Sequence, residues 1–167
     1  MFLELIAVFV AGFVGAGLMM ALSALPGRRL PRWIVPVGAG AAMLIAGIAT
    51  EYSWYGRTAQ SARDKGLSIA QTVENSALWR PWTYIYPLTD RFVAVDTASP
   101  LKNTETEGLY LVKLYFYGRW RSNQIVQVMV DCAGYRRADP VLGDGSPPLW
   151  RDVGPDDPVV RTVCAEV

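Results

Sequence analysis

The chain has 167 residues, with 16 Lys and Arg against 15 Asp and Glu, no His and two Cys. Such a balanced charge offers no basic field to nucleic acid. Without His, the chain cannot build a Ser-His-Asp or Cys-His catalytic arrangement, and it lacks the usual donors for zinc or copper.

The first predicted element is the apolar run "FLELIAVFVAGFVGAGLMMALSAL", residues 2–25, with Glu4 as its only charge. As a helix it spans about 36 Å, enough to cross a hydrocarbon core with some tilt. The second run, "WIVPVGAGAAMLIAGIAT", residues 33–50, spans about 27 Å and is marginal alone. Extending it to residue 54 adds about a turn and places Tyr52, Trp54 and Tyr55 at an interface, which suits amphipathic rings. Pro36 falls in the first turn, where its missing N–H matters little.

Between the runs lies a short loop, residues 26–32, carrying Arg28, Arg29 and Arg32. A loop this short forces an antiparallel hairpin. Arginines in such loops stay on the cytoplasmic side, so both ends of the hairpin are expected outside. A cleaved signal peptide would carry its positive charge before the apolar stretch, and here the charge follows it. Small residues recur at four-residue spacing, Ala7, Ala11 and Gly15 in one helix and Gly38, Ala42 and Ala46 in the other. They are expected to zip the two helices together, since close packing drives helix association in lipid.

Residues 1–55 are thus read as a transmembrane hairpin. Residues 56–79 are read as a stalk that continues the second helix, with a loop or short element near "KGLSIAQTVEN", and residues 80–167 as a separate domain. In that domain "WTYIY" alternates, "RFVAVD" is a short apolar run, and 109–117 and 124–132 form the clearest hairpin. The stretch from Arg136 to Pro158 holds five prolines and three glycines and reads as loop, and "PVVRTVCAEV" reads as a last strand. The expected fold is a two-helix transmembrane hairpin plus a small β-rich (α+β) extracytoplasmic domain with an antiparallel sheet.

The two cysteines, Cys132 and Cys164, both fall on the side the arginines define as outside. Their pairing would close a loop of about 33 residues, worth on the order of 3–4 kcal/mol in the chain-entropy model. Asp139 and Asp144 sit in a turn-rich loop without the oxygen spacing of a calcium site. Asp90 and Asp96 flank one strand about 20 Å apart, too far to share one reacting bond. No phosphate-binding glycine loop stands outside the apolar runs.

The most unusual stretch is "WRPWTYIYP", residues 79–87. Extended, it would put Trp82, Tyr84 and Tyr86 on one face. These rings are expected to fill the core of a small domain. The competing reading makes Trp79, Trp82, Tyr84 and Tyr86 a platform for a partner.

The function expected is a non-catalytic membrane-anchored accessory or assembly subunit that binds a protein partner at a bacterial inner membrane. Its expected partners are membrane lipid and a membrane protein or a second copy of the chain, with no nucleic acid, cofactor or metal. The alternative is an extracytoplasmic receptor module for a ligand or envelope polymer, and a small carboxylate-dependent hydrolase ranks third. The topology predicts that alkaline phosphatase fused after Val167 is active and green fluorescent protein fused there is dark. The opposite pattern would invert the hairpin.

Overall fold

The computed structural model describes residues 2–25, 31–102, 108–139 and 148–166. Arg28, Arg29 and Asp144 lie outside the described residues. The chain divides into two compact units, Met1–Tyr55 and Gly56–Val167.

The first unit holds helix α1, Phe2–Ala24, and most of helix α2, Ile34–Arg63. Both are long and apolar enough to cross a membrane. Their packing follows the small residues. A Cβ on Gly15 would lie 2.6 Å from the Ala42 Cβ and 2.7 Å from the Gly38 carbonyl oxygen. Gly12 meets Met43, and Gly38 meets Met19. The seam is rotated from the expected one, because Ala7 is exposed while Gly12 and Gly15 are buried. Large apolar side chains point outward, among them Phe9, Phe13, Leu18, Leu44 and Ile45. Small residues inside and large apolar ones outside is the arrangement that suits hydrocarbon surroundings rather than water. Of the three rings expected at an interface, Tyr52 is exposed, Tyr55 half-buried and Trp54 buried.

Helix α2 continues past residue 54 to Arg63, into the segment read as a stalk that continues it. Ala59 and Ala62 are buried. Gln60 Nε2 donates to Asp64 Oδ1, and the Gly66 N–H donates to the Arg63 carbonyl. Gly66 takes φ +77°, the left-handed conformation that ends helices and that glycine adopts without strain.

The second unit is built on one seven-stranded antiparallel sheet: β1 (Leu67–Asn75), β2 (Leu88–Asp96), β3 (Leu101–Lys102), β4 (Leu109–Gly118), β5 (Gln124–Asp131), β6 (Arg136–Ala138) and β7 (Trp150–Asp152). The spatial order is β1-β2-β4-β5-β6-β7, with β3 also pairing to β4. The expected β4–β5 hairpin is present, registering Leu109 with Asp131 through to Phe116 with Gln124. Two register shifts kink the β1–β2 ladder and increase its twist.

Three sequence expectations are corrected. The segment read as a stalk with a short element contains β1, a nine-residue strand of the sheet. The Pro- and Gly-rich stretch contributes two short strands, β6 and β7. The last element is a helix, α3 (Pro158–Glu166), so Cys164 lies on a helix and not on a strand. The reason is local. Asp157 Oδ1 accepts from the Val159 and Val160 N–H groups, at 3.0 and 3.1 Å, and Pro158 occupies the first helical position. Val159, Val160 and Val163 then form one buried face, overriding the strand preference of β-branched residues.

That face packs against Val95, Val112, Leu114, Val128 and Val130, which share one side of the sheet. Cys132, just beyond β5, is bonded to Cys164 of α3, with Cα atoms 5.7 Å apart.

The β5–β6 turn is organised by Asp131. Its Oδ1 accepts from the Ala133 and Gly134 N–H groups, and its Oδ2 accepts from Arg136 Nε and a terminal nitrogen, the latter at 2.6 Å. Arg136 also lies over the Trp150 ring, 5.3 Å from its centroid, which links the turn to β7. Burial is the largest single influence on the Asp131 carboxyl and would raise its pKa. The Arg136 hydrogen bonds, the Gly134 and Ala133 N–H groups and the Arg136 charge together outweigh it, so the group titrates below its ordinary value. A lowered folded-state pKa contributes stability above the unfolded value, about 4, that is lost as pH falls through the folded value. Asp131→Asn is therefore expected to lower the melting temperature at pH 7, with the gap to wild type narrowing towards pH 3. A gap of the same size at both pH values would show that the carboxylate charge contributes nothing.

Candidate functional site

The aromatic stretch is not a strand. Pro81–Tyr84 forms a 3-10 helix inside a compact loop joining β1 to β2. Pro81 sets the first helical position. The Arg80 N–H donates to the Ala77 carbonyl, and the Ile85 and Tyr86 N–H groups both donate to the Trp82 carbonyl. Thr83 is the internal post of this loop and is 3% exposed. Its hydroxyl donates to the Arg80 carbonyl at 2.7 Å and accepts from the Ala77 N–H at 3.0 Å.

With Thr83 turned inward, the rings turn outward. Trp79 is 79% exposed, Tyr86 67%, Tyr84 59% and Trp82 41%. The expectation that Trp82, Tyr84 and Tyr86 fill the core is therefore wrong. The core of this unit is made of valines, and the 3-10 turn breaks the alternation that would have put the rings on one sheet face. Leu78 and Ile85, not singled out from sequence, are exposed beside them. Six large apolar side chains thus stand out of a nine-residue segment. The structure brings all four sequence candidates into one loop. The signal for the turn is in the sequence: Pro81 after Arg80 and Pro87 after Tyr86 punctuate the stretch against a strand.

A second feature lies on the sheet side that α3 covers. Beyond the helix a cleft of about 570 Å³ opens, lined by Val73, Val93, Phe116 and Gln124 from the strands, with Arg91, Arg121 and Ser122. By register Val73 pairs with Arg91, Arg91 with Gly118, Val93 with Phe116, and Phe116 with Gln124, so these strand residues share one face. On the reverse face Phe92 and Tyr117 stack with centroids 4.8 Å apart. Burial, and secondarily the neighbouring Tyr115, push the Tyr117 hydroxyl above its ordinary pKa. Sequence reasoning missed the cleft, because it depends on how far α3 reaches across the sheet.

The other residues weighed from sequence are dispersed. Asp96 closes a local turn, accepting from the Ser99 N–H and hydroxyl. Asp139 lies 3.5 Å from Arg151 on the surface. Arg32 is exposed just ahead of α2. Among the described residues, no group of three or more His, Cys, Asp or Glu side chains gathers as a metal site would require.

Replacing Thr83 with Val keeps its shape and removes both side-chain hydrogen bonds, leaving the Ala77 N–H without its acceptor, at a cost of about 1–3 kcal/mol. Thr83→Val is expected to raise amide hydrogen exchange across residues 77–86 while β4 and β5 keep their protection. Unchanged exchange in the loop would show that the threonine does not hold it.

No family model, no curated protein and no solved structure matches this chain.

Proposed function

We propose that the chain is a non-catalytic accessory or assembly subunit of a bacterial inner membrane. The two apolar helices anchor it as a hairpin whose Arg28, Arg29 and Arg32 face the cytoplasm. The sheet unit stands in the periplasm, an oxidising compartment in keeping with the Cys132–Cys164 bond. The sheet unit binds a membrane-protein partner through Trp79, Trp82, Tyr84 and Tyr86.

One observation carries this reading: the loop holds its rings outside. A folded protein gains by burying Trp and Tyr, and here Thr83 is buried in their place while the rings meet solvent. Such a cluster is the composition of an interface centre, where aromatic anchors dominate the binding energy. The loop sits at the far end of β1 from the α2 junction, so its presentation is separate from the turn that connects the helix to the sheet.

The test is purification of the tagged full-length chain in mild detergent, beside the variant Trp79→Ser/Trp82→Ser/Tyr84→Ser. Exposed substitutions of this kind shift stability by about 0.5 kcal/mol each or less, so the variant is expected to melt close to wild type. A stoichiometric membrane protein should accompany the wild type and be absent from the variant. A partner retained by the folded variant would remove the loop from the interface. A variant that unfolds would show that the rings support the domain after all.

A further inference from the structure

The cleft beyond α3 has the chemistry of a binding site for a small molecule, and it is independent of the aromatic loop. Its floor is apolar, with Val73, Val93 and Phe116, and Val93 packs directly onto the valine core. Its volume falls in the usual range for ligand sites, roughly 300–1,000 Å³. Phe116 is 38% exposed, a large apolar side chain left open on the face that α3 covers elsewhere.

The charged groups are all of one sign. Arg91 and Arg121 line the cleft together with Ser122 and Gln124, and no carboxylate does. The two arginines start from neighbouring positions on the sheet surface. Arg91 is the register partner of Gly118. A Cβ on Gly118 would lie 3.3 Å from the Arg121 Cβ, so Arg121 packs closely over the sheet at that position. Neither arginine forms an ion pair with a described residue. Two guanidinium stems rising from neighbouring positions repel one another until an anion lies between them. The planar forks of arginine match carboxylate and phosphate oxygens.

We infer that this cleft binds an amphiphilic anion: a carboxylate or phosphate head between Arg91 and Arg121, and an apolar chain running over Val93 and Phe116 towards α3. Ser122 and Gln124 supply hydrogen bonds at the head. The same chemistry belongs to a soluble fatty acid and to the head and upper chain of an anionic bilayer lipid.

The test uses the full-length chain in nanodiscs of zwitterionic lipid, titrated calorimetrically with octanoate, octyl phosphate, octylammonium, butyrate and inorganic phosphate. Heats from empty discs are subtracted. Octanoate and octyl phosphate are expected to bind saturably, one per chain, and octylammonium is not. Between butyrate and octanoate each methylene should tighten binding by about two- to fourfold. Arg91→Gln and Arg121→Gln should each weaken octanoate about tenfold or more, with the melting temperature unchanged because both side chains are exposed. Repeating the titration in discs containing phosphatidylglycerol separates the two sources. Suppressed octanoate binding points to the bilayer lipid and retained binding to a soluble ligand, and the assignment stands in both cases. It fails if octylammonium binds as well as octanoate, if butyrate and inorganic phosphate bind as tightly as the octyl anions, or if the doubly substituted protein binds octanoate like wild type.

Discussion

The sheet unit depends on the seating of one short helix. A nine-residue helix is unstable by itself, because so few hydrogen bonds cannot offset the cost of nucleation. Helix α3 is held from several directions. Asp157 caps its first turn, and Arg137 reaches the Asp157 carboxylate at 3.5 Å. Glu166 near its end accepts a hydrogen bond from Ser68 of β1, and Cys164 bonds to Cys132 after β5. Between these ties Val159, Val160 and Val163 fill the sheet face almost without residual exposure. The covalent tie and the cap act on opposite ends, so the valines are placed by both.

What α3 does not reach is as consequential as what it covers. The strands β2, β4 and β5 are eight to ten residues long, and the helix seals only the part around Val95, Val112, Val128 and Val130. Beyond it the same alternation continues through Val93 and Phe116 and ends at Arg91 and Gly118. Core and cleft are therefore two halves of one surface. The cleft inherits its apolar floor from the pattern that makes the core, and it differs only in ending on arginines. The aromatic loop belongs to another part of the unit. Hydrogen bonds within the loop, with Thr83 as the post, turn its rings outward by local structure.

The membrane-compatible unit reverses the usual arrangement of residue sizes. Gly12, Gly15 and Gly38 form the contact, and Phe, Leu and Ile cover the outside. In water that surface would be a liability, while in hydrocarbon it loses nothing and the close approach of backbones supplies the attraction. Thr50 and Ser53 fit the same logic, since their hydroxyls donate to carbonyls three residues back.

The sequence by itself determined the elements whose periodicity is long and unbroken. The two apolar helices follow from length and composition, and the β4–β5 hairpin follows from two strong strand patterns around a polar turn. The cysteine pair was legible because there were only two candidates. The helix α3 could have been read from Asp157 and Pro158, but three valines outweighed the cap on propensity alone. Tertiary structure decided the rest. The fate of the Trp and Tyr rings turned on whether Thr83 or the rings faced inward, a choice set by hydrogen bonds within one loop that alternation does not register. The cleft turned on the reach of α3. Hydropathy along the chain has no term for a hydrogen bond within a loop or for the distance a helix reaches across a sheet.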